Sequence, residues 1–246
     1  MGEIVKNMTF SVYAGEITCM AGLIGSGLIG SGLIGSGRTE VMKIVADALK
    51  RNLLRGGSIF LDGRPVRYRV PAQAMADGIV YVTEDRKLNG FFETMSIEAN
   101  IYMGWLAAQT NEVIARKRVQ SEVAKEWLTR LSIRAIHRNA KVNALSGGNQ
   151  QKVVIAKSLA QKPRLIIFDE PTRGVDVGAI AEIHDFIRQL AKEGVAVVVI
   201  SSYLPEVINL ADRVLVVRQG RVVEELSAAE ATEDNRRQDT RALYQV

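Results

Sequence analysis

Cysteine, histidine and long apolar runs are all scarce in this chain of 246 residues. A single cysteine, Cys19, excludes an internal disulfide. Two histidines, His137 and His184, supply no ligand set at zinc-like spacing, so no structural metal is expected. Apolar runs such as Val195 to Ile200 fall far short of the roughly 20 residues that a membrane-crossing helix needs. The opening Met1-Gly2-Glu3-Ile4-Val5-Lys6 has no apolar signal region, which sets the expectation of a chain that stays in the cytosol or docks onto a membrane protein. No stripe of one charge stands out either. The net charge of +5 is modest and the Lys and Arg residues are scattered, so charge alone does not choose between an anionic ligand, a nucleic acid and a membrane surface.

What is present is ordinary globular composition, 47% hydrophobic and 24% charged, enough to bury a substantial core in one large domain or two small ones. Apolar periodicity predicts a short strand over Glu16 to Ala21, then glycine-rich sequence, then a helix over Thr39 to Leu49. Strands follow at Gly57 to Leu61 and Ile79 to Thr83. Ser96 to Leu131 reads as mostly helical, with Trp105 and Trp127 as anchors. After Ser146 come a helix to about Gln161, a strand Arg164 to Phe168, a helix Gly178 to Lys192, a strand Val195 to Ile200, a helix near Pro205 to Leu210 and a strand Arg213 to Arg218. This alternation predicts an α/β fold with a parallel sheet covered on both faces. From about Ala228 the sequence is polar, a solvated helix or a frayed tail.

Three stretches carry chemistry. Gly-Leu-Ile-Gly-Ser occurs three times in tandem, at Gly22 to Ser26, Gly27 to Ser31 and Gly32 to Ser36, ahead of Gly37-Arg38-Thr39. A period of five is too short for a solenoid. The last unit, Gly32 to Thr39, fits the phosphate-loop pattern G-x-x-x-x-G-K-[ST] at every position but the lysine, where Arg38 stands. Such a loop converges backbone N–H groups on phosphates and adds a cation and a hydroxyl for magnesium. A glycine-serine stretch is also what a flexible linker looks like. Its place between strand and helix favours the phosphate loop, although two units are extra. Arginine keeps the charge as a wider planar fork, so binding is expected to survive better than catalysis.

The second stretch, Arg164 to Glu170, is an apolar strand that ends in two carboxylates. Such a pair can simply open a solvated turn. Joined to a phosphate loop about 130 residues earlier, it places Asp169 near a bound magnesium and Glu170 where it orients the attacking water. The third, Leu145-Ser146-Gly147-Gly148-Asn149-Gln150-Gln151, opens a helix, with Ser146 in the N-cap position and two glycines that let a backbone approach an anion.

With these strings the chain resembles the ABC ATPases, and more closely the second half of the tandem subunits that drive bacterial ribose, galactose and similar sugar importers. Glu170 to Gly178, Thr83 to Lys87 and Ile200 to Val207 look like that subgroup, and the likeness runs from about Ile4 to Glu225. The resemblance implies a P-loop NTPase (RecA-like) core at 1–84 and 146–227, a helical subdomain at 85–145 that contacts membrane subunits, and a polar tail at 228–246. It implies that Gly32, Gly35, Ser36, Gly37, Arg38 and Thr39 hold ATP, and that Thr39 and Asp169 support Mg²⁺. Glu170 then becomes the catalytic carboxylate. Ser146, Gly147, Gly148 and Gln150 become the signature that completes the site of an opposite domain, and Asp176 communicates between sites.

Four departures follow from the same comparison. Arg38 replaces the phosphate-loop lysine, Glu84 stands where many members have glutamine, and Ser202 takes the place of the switch histidine. Neither His137 nor His184 is placed to fill that role, and both are expected at a surface or interface. The chain also starts too late for an earlier antiparallel strand whose aromatic residue stacks on adenine, and Tyr13 is on the wrong segment to serve. The expectation is an energy-coupling half with a degenerate site of its own, working at the cytoplasmic face of the plasma membrane. Its expected partners are a second half with an intact phosphate loop, permease subunits and, indirectly, a sugar-binding protein. Two alternatives are a nucleotide-sensing module without turnover and an ABC-type protein acting on ribosomes or DNA, the latter weakened by the absence of a basic, aromatic-interleaved segment.

Overall fold

The computed structural model describes residues 4–22, 36–50, 57–109, 116–135, 137–227 and 230. Gly32, Gly35, most of the repeat and nearly all of the polar tail lie outside the described residues. The order of elements is β1 (Ile17–Ala21), α1 (Arg38–Val45), β2 (Ile59–Leu61), β3 (Arg64–Val66), α2 (Pro71–Ala76), β4 (Ile79–Val82), a single wide helical turn at Arg86–Gly90, α3 (Ile97–Ala107) and α4 (Lys117–Arg130). There follow α5 (Gly147–Leu159), β5 (Leu165–Asp169), α6 (Val177–Lys192), β6 (Ala196–Ile200), α7 (Leu204–Leu210), β7 (Arg213–Arg218) and β8 (Arg221–Ser227).

Six strands form one sheet in the order β4-β5-β6-β1-β7-β8, parallel except for the last pair, while β2 and β3 make a separate antiparallel hairpin. The central strands are short and apolar without alternation because both of their faces are covered. Successive residues therefore divide between two cores. Cys19, Ile166, Phe168, Val197 and Val199 pack with residues of α3, α5, α6 and α7. Met20, Ile167, Val198, Ile200 and Leu215 pack with α1 and with Ala74 of α2. The register aligns Met20 with Ile200 and Ile200 with Asp169, so β1, β6 and β5 end at one level. In an open parallel sheet that carboxyl edge is where ligands are bound.

The sequence-based elements hold with shifts of a few residues, and three differences have physical causes. The helix expected over Ser96 to Leu131 is two helices, α3 and α4, and Ser96 caps the first by accepting from the Ala99 N–H at 3.1 Å. The helix after the repeat ends at Val45 because Asp47 turns left-handed at φ 54°. Strand β8 escapes periodicity because it is an edge strand, mostly exposed and charged through Arg221, Glu224 and Glu225.

Helices α3 and α5 touch backbone to backbone: a Cβ on Gly104 would stand 1.7 Å from the Lys157 carbonyl oxygen. Backbone cannot yield as a side-chain tip can. The substitution Gly104→Ala is therefore expected to lower unfolding free energy by about 3 kcal/mol, the upper end of ordinary overpacking, measured by urea denaturation.

Candidate functional site

At the carboxyl edge of the sheet, β5 delivers Asp169 with 1% of its surface exposed. A charge so deeply placed needs partners, and it has them. The Thr39 hydroxyl, on the first turn of α1, donates to its Oδ1 at 3.1 Å, and the Tyr81 hydroxyl at the end of β4 donates to Oδ2. Burial still pushes the Asp169 carboxyl above its ordinary value, against the bonds from Tyr81 and Thr39 and the charges of Lys43 and Arg38. The Tyr81 hydroxyl is pushed up in turn, by burial and by the Asp169 carboxylate.

Glu170 follows with φ 49°, a left-handed conformation that costs an ordinary residue of order 1 kcal/mol and turns the chain sharply off the strand. Its Oε1 accepts the Ser202 N–H at 2.8 Å. Burial raises the Glu170 carboxyl too, opposed by the bonds from Ser202 and the Arg38 charge.

Gly37, at φ 96°, makes the turn into α1, and Arg38 and Thr39 follow as the first helical residues. Arg38 is 8% exposed. Its Nε donates to the Ser36 hydroxyl at 2.9 Å and its Nη1 to the Ser201 carbonyl at 2.7 Å. Burial lowers the pKa of the guanidinium, and the nearby Glu170, Asp169 and Glu40 oppose that shift. The described part of the expected phosphate loop, Ser36 to Thr39, thus meets Asp169, Glu170 and Ser202 in one place.

A second group gathers at the start of α5. Ser146 is exposed and does not cap its own helix; its Oγ accepts from the Asn149 amide at 3.0 Å. Gly147 and Gly148 face the segment after Glu170. A Cβ on Gly147 would lie 2.8 Å from the Gly174 carbonyl oxygen, and one on Gly148 would lie 2.9 Å from Asp176 Oδ2 and 2.5 Å from Ala179 Cβ. Asp176 caps α6 by accepting the Ala179 N–H at 3.0 Å. Glu84 is ion-paired with Arg173 in this group. Gln150 stands apart from the rest: it is buried, and its amide donates back to the Leu145 carbonyl at 3.0 Å.

Sequence reasoning missed Tyr81, Thr172 and Glu206, and it misjudged His184. His137 is exposed, but His184 is 5% exposed and not at a surface. Its Nε2 lies 2.8 Å from Glu206 Oε1, an oxygen that also accepts from the Thr172 hydroxyl at 2.8 Å. Burial works to raise the Glu206 carboxyl, but bonds from His184, Ser201 and Thr172 outweigh it and hold the group below its ordinary value. The available signal was a glutamate on the buried face of a short helix that begins two residues after Ser202. Next to this edge a cavity of about 300 Å³ opens between β4 and helices α3 and α5, lined by Tyr81, Asn89, Phe92, Met103, Lys157 and Gln161 among others.

The oxygen donors Thr39 and Asp169 suit a hard cation such as Mg²⁺, and the start of α1 suits phosphate. Among the described residues no cluster of three or more His, Cys, Asp or Glu is placed to hold a metal. No helix among the described residues is long and apolar enough to cross a membrane.

Comparison with known proteins bears on family and fold. A family model described as ABC transporter matches residues 5–173. "Ribose import ATP-binding protein RbsA 2" of Rhizobium etli is 46% identical over 95% of this chain, and "Ribose import ATP-binding protein RbsA" of Geobacillus kaustophilus 44% over 89%. The chain spans less than half the length of each, 44% and 42%. Among solved structures, a nucleotide-free ATP-binding cassette from an ABC transporter superposes with a TM-score of 0.78 at 21% identity, covering 95% of this chain and 89% of that one. A dimeric cassette in a post-hydrolysis state bound to ADP and Pi gives 0.74 at 23%, covering 93% and 94%. At such identities the structures speak for the fold, an α/β ATPase cassette.

Because the Glu206 carboxyl ionises at lower pH in the fold than in the unfolded chain, its contribution to stability is complete above the ordinary value of 4.5 and is lost as pH falls through the lower folded value. Replacing it, Glu206→Gln, is expected to cost roughly 2 kcal/mol at pH 7, the worth of a bond to a buried charge. The gap from wild type should narrow below the ordinary carboxylate range in a pH series of urea denaturations.

Proposed function

Since the chain belongs to the ABC transporter ATP-binding family, we propose that it is the energy-coupling half of a carbohydrate importer, the second of two nucleotide-binding halves in a tandem subunit. Its relation to ribose import ATP-binding proteins and its span of less than half their length support this reading. In it, residues 1–84 and 146–227 are the core and 85–145 the subdomain facing the permease subunits at the cytoplasmic face of the membrane. The cavity beside β4 is then the seat for a permease segment.

ATP with Mg²⁺ supplies the phosphoryl group whose transfer is catalysed. Ser36 to Thr39 bind the phosphates through the start of α1, and Thr39 and Asp169 hold the cation. Glu170, braced by the Ser202 N–H, orients the water. Its raised pKa makes it a better proton acceptor than an exposed glutamate. Arg38, however, has its Nε and Nη1 engaged by Ser36 and Ser201. Ser202 offers no imidazole at the place where the family's switch histidine stands. This half's own site is therefore slow or inactive.

The observation that carries the proposal is the exposed Ser146 at the uncapped start of α5. Its hydroxyl is exposed and accepts from the Asn149 amide, so its own hydrogen can be donated to the ATP site of a partner half with an intact phosphate loop. The committed Arg38 also fits a second reading, a nucleotide-sensing module without turnover.

In the complete importer, Ser146→Arg is expected to reduce ATP turnover by on the order of 10²-fold, as loss of a stabilising donor does, while Arg38→Ala reduces it by less than about tenfold on the same scale. Steady-state hydrolysis in proteoliposomes checks the order, and the reverse order rejects the shared-site reading. No effect of either variant on turnover, with nucleotide binding altered, favours the sensing module.

A further inference from the structure

Three segments that the proposed function treats separately meet at one side chain, Arg86. It opens the wide turn Arg86–Gly90, which is held at its start by the Asp85 carboxylate accepting from the N–H groups of Lys87 at 3.1 Å and Leu88 at 3.0 Å. The turn rests on α5, because a Cβ on Gly90 would lie 2.9 Å from Val154 Cγ2. From this base the guanidinium donates through Nη1 to the Arg173 carbonyl at 2.7 Å and through Nη2 to the Gly174 carbonyl at 3.0 Å. The same Nη2 would lie 3.1 Å from a Cβ on Gly147, so the glycine after Ser146 leaves room for it. The Arg173 side chain is drawn back to Glu84, two residues before Arg86.

We infer that Arg86 is a positioning residue that locks the start of α5 and the Arg173–Asp176 segment into one unit, governed by the loop that leads from β4 toward the helical region. The inference rests on the reading that Ser146 and its glycines serve a partner's ATP. Two neighbouring carbonyls need two N–H groups in one plane at fixed spacing. Guanidinium supplies that fork, and the single ammonium of lysine does not. The buried Nε has no acceptor, so the head is held by these two carbonyls alone. A displacement of the loop at Glu84 and Arg86 therefore moves both Gly174 and the ground that Gly147 and Gly148 stand on. The loop also borders the cavity beside β4, whose lining includes Thr83, Asn89 and Gly90. The ion pair of Glu84 with Arg173 is exposed enough to add little stability, so its effect is directional.

The test uses the complete importer in proteoliposomes with Arg86→Ala, Arg86→Lys and, as reference, Ser146→Arg. Turnover per folded enzyme, KM for ATP and melting temperature are read together. Arg86→Ala is expected to lower kcat by on the order of 10²-fold, the effect of a misplacement of about 1 Å. KM should change by less than about threefold and melting temperature by only a few degrees, with Arg86→Lys recovering part of the loss, as a cation with one point of contact would. Unchanged kcat per folded enzyme in Arg86→Ala, while Ser146→Arg abolishes turnover, overturns the positioning role and leaves the shared site standing. If Ser146→Arg has no effect either, the shared-site reading itself has failed.

Discussion

Asp169 is a carboxylate placed at the end of a strand buried on both faces, and the rest of the site depends on how that charge is kept there. Strand β5 lies between β4 and β6, so the neighbours available to its last residue are fixed by the sheet. One is the Tyr81 hydroxyl at the end of β4, and another the Thr39 hydroxyl on α1, the helix that follows β1. By taking both bonds the carboxylate ties the start of α1 to the carboxyl edge of the sheet. Its raised pKa shows that the two donors do not fully offset the loss of water. A divalent cation between Thr39 and Asp169 would complete that compensation, which gives a physical reason for ligand and cation to be bound together.

The next residue, Glu170, turns the chain so sharply that Thr172 and Arg173 lie within reach of quite different elements. Thr172 goes inward to the buried Glu206, and with His184 it fixes the turn against α6 and α7. Arg173 and Gly174 go outward to Arg86. A single left-handed residue thus separates the inward support of the carboxylate from the outward surface formed with the start of α5. The Ser201–Ser202 backbone is shared in the same way, its carbonyl taken by Arg38 and its next N–H by Glu170.

Much of this was legible in the sequence because the strands that carry the site are buried on both sides and read as plain apolar runs. Ile166 to Phe168 and Val197 to Ile200 could hardly be anything else, and the residues at their ends could be named from the strings alone. Helix α2 was not legible: six residues starting at Pro71 are too few for a helical period. Strand β8 hid behind its charges. What no periodicity encodes is which polar side chain a buried charge will find. Tyr81 was seen only as part of a strand, and Glu206 as part of a helix. The misjudgement of His184 has the same origin, since its burial depends on a carboxylate 22 positions away.

The two ends of the repeat-bearing connection are set side by side by the fold. A Cβ on Gly22 would lie 2.4 Å from the Val217 carbonyl oxygen and 3.2 Å from the Ser36 hydroxyl, and Ser36 in turn accepts the Gly220 N–H at 2.8 Å through its own carbonyl. Both anchor points belong to the framework of β1 and the β7–β8 turn, whatever length of chain joins them. The entropy of closing a connection grows only as the logarithm of its length, so ten added residues cost roughly 1 kcal/mol. A change in the number of five-residue copies therefore costs the domain little in closure entropy. The consequence of such a change would fall on the bound ligand and not on folding.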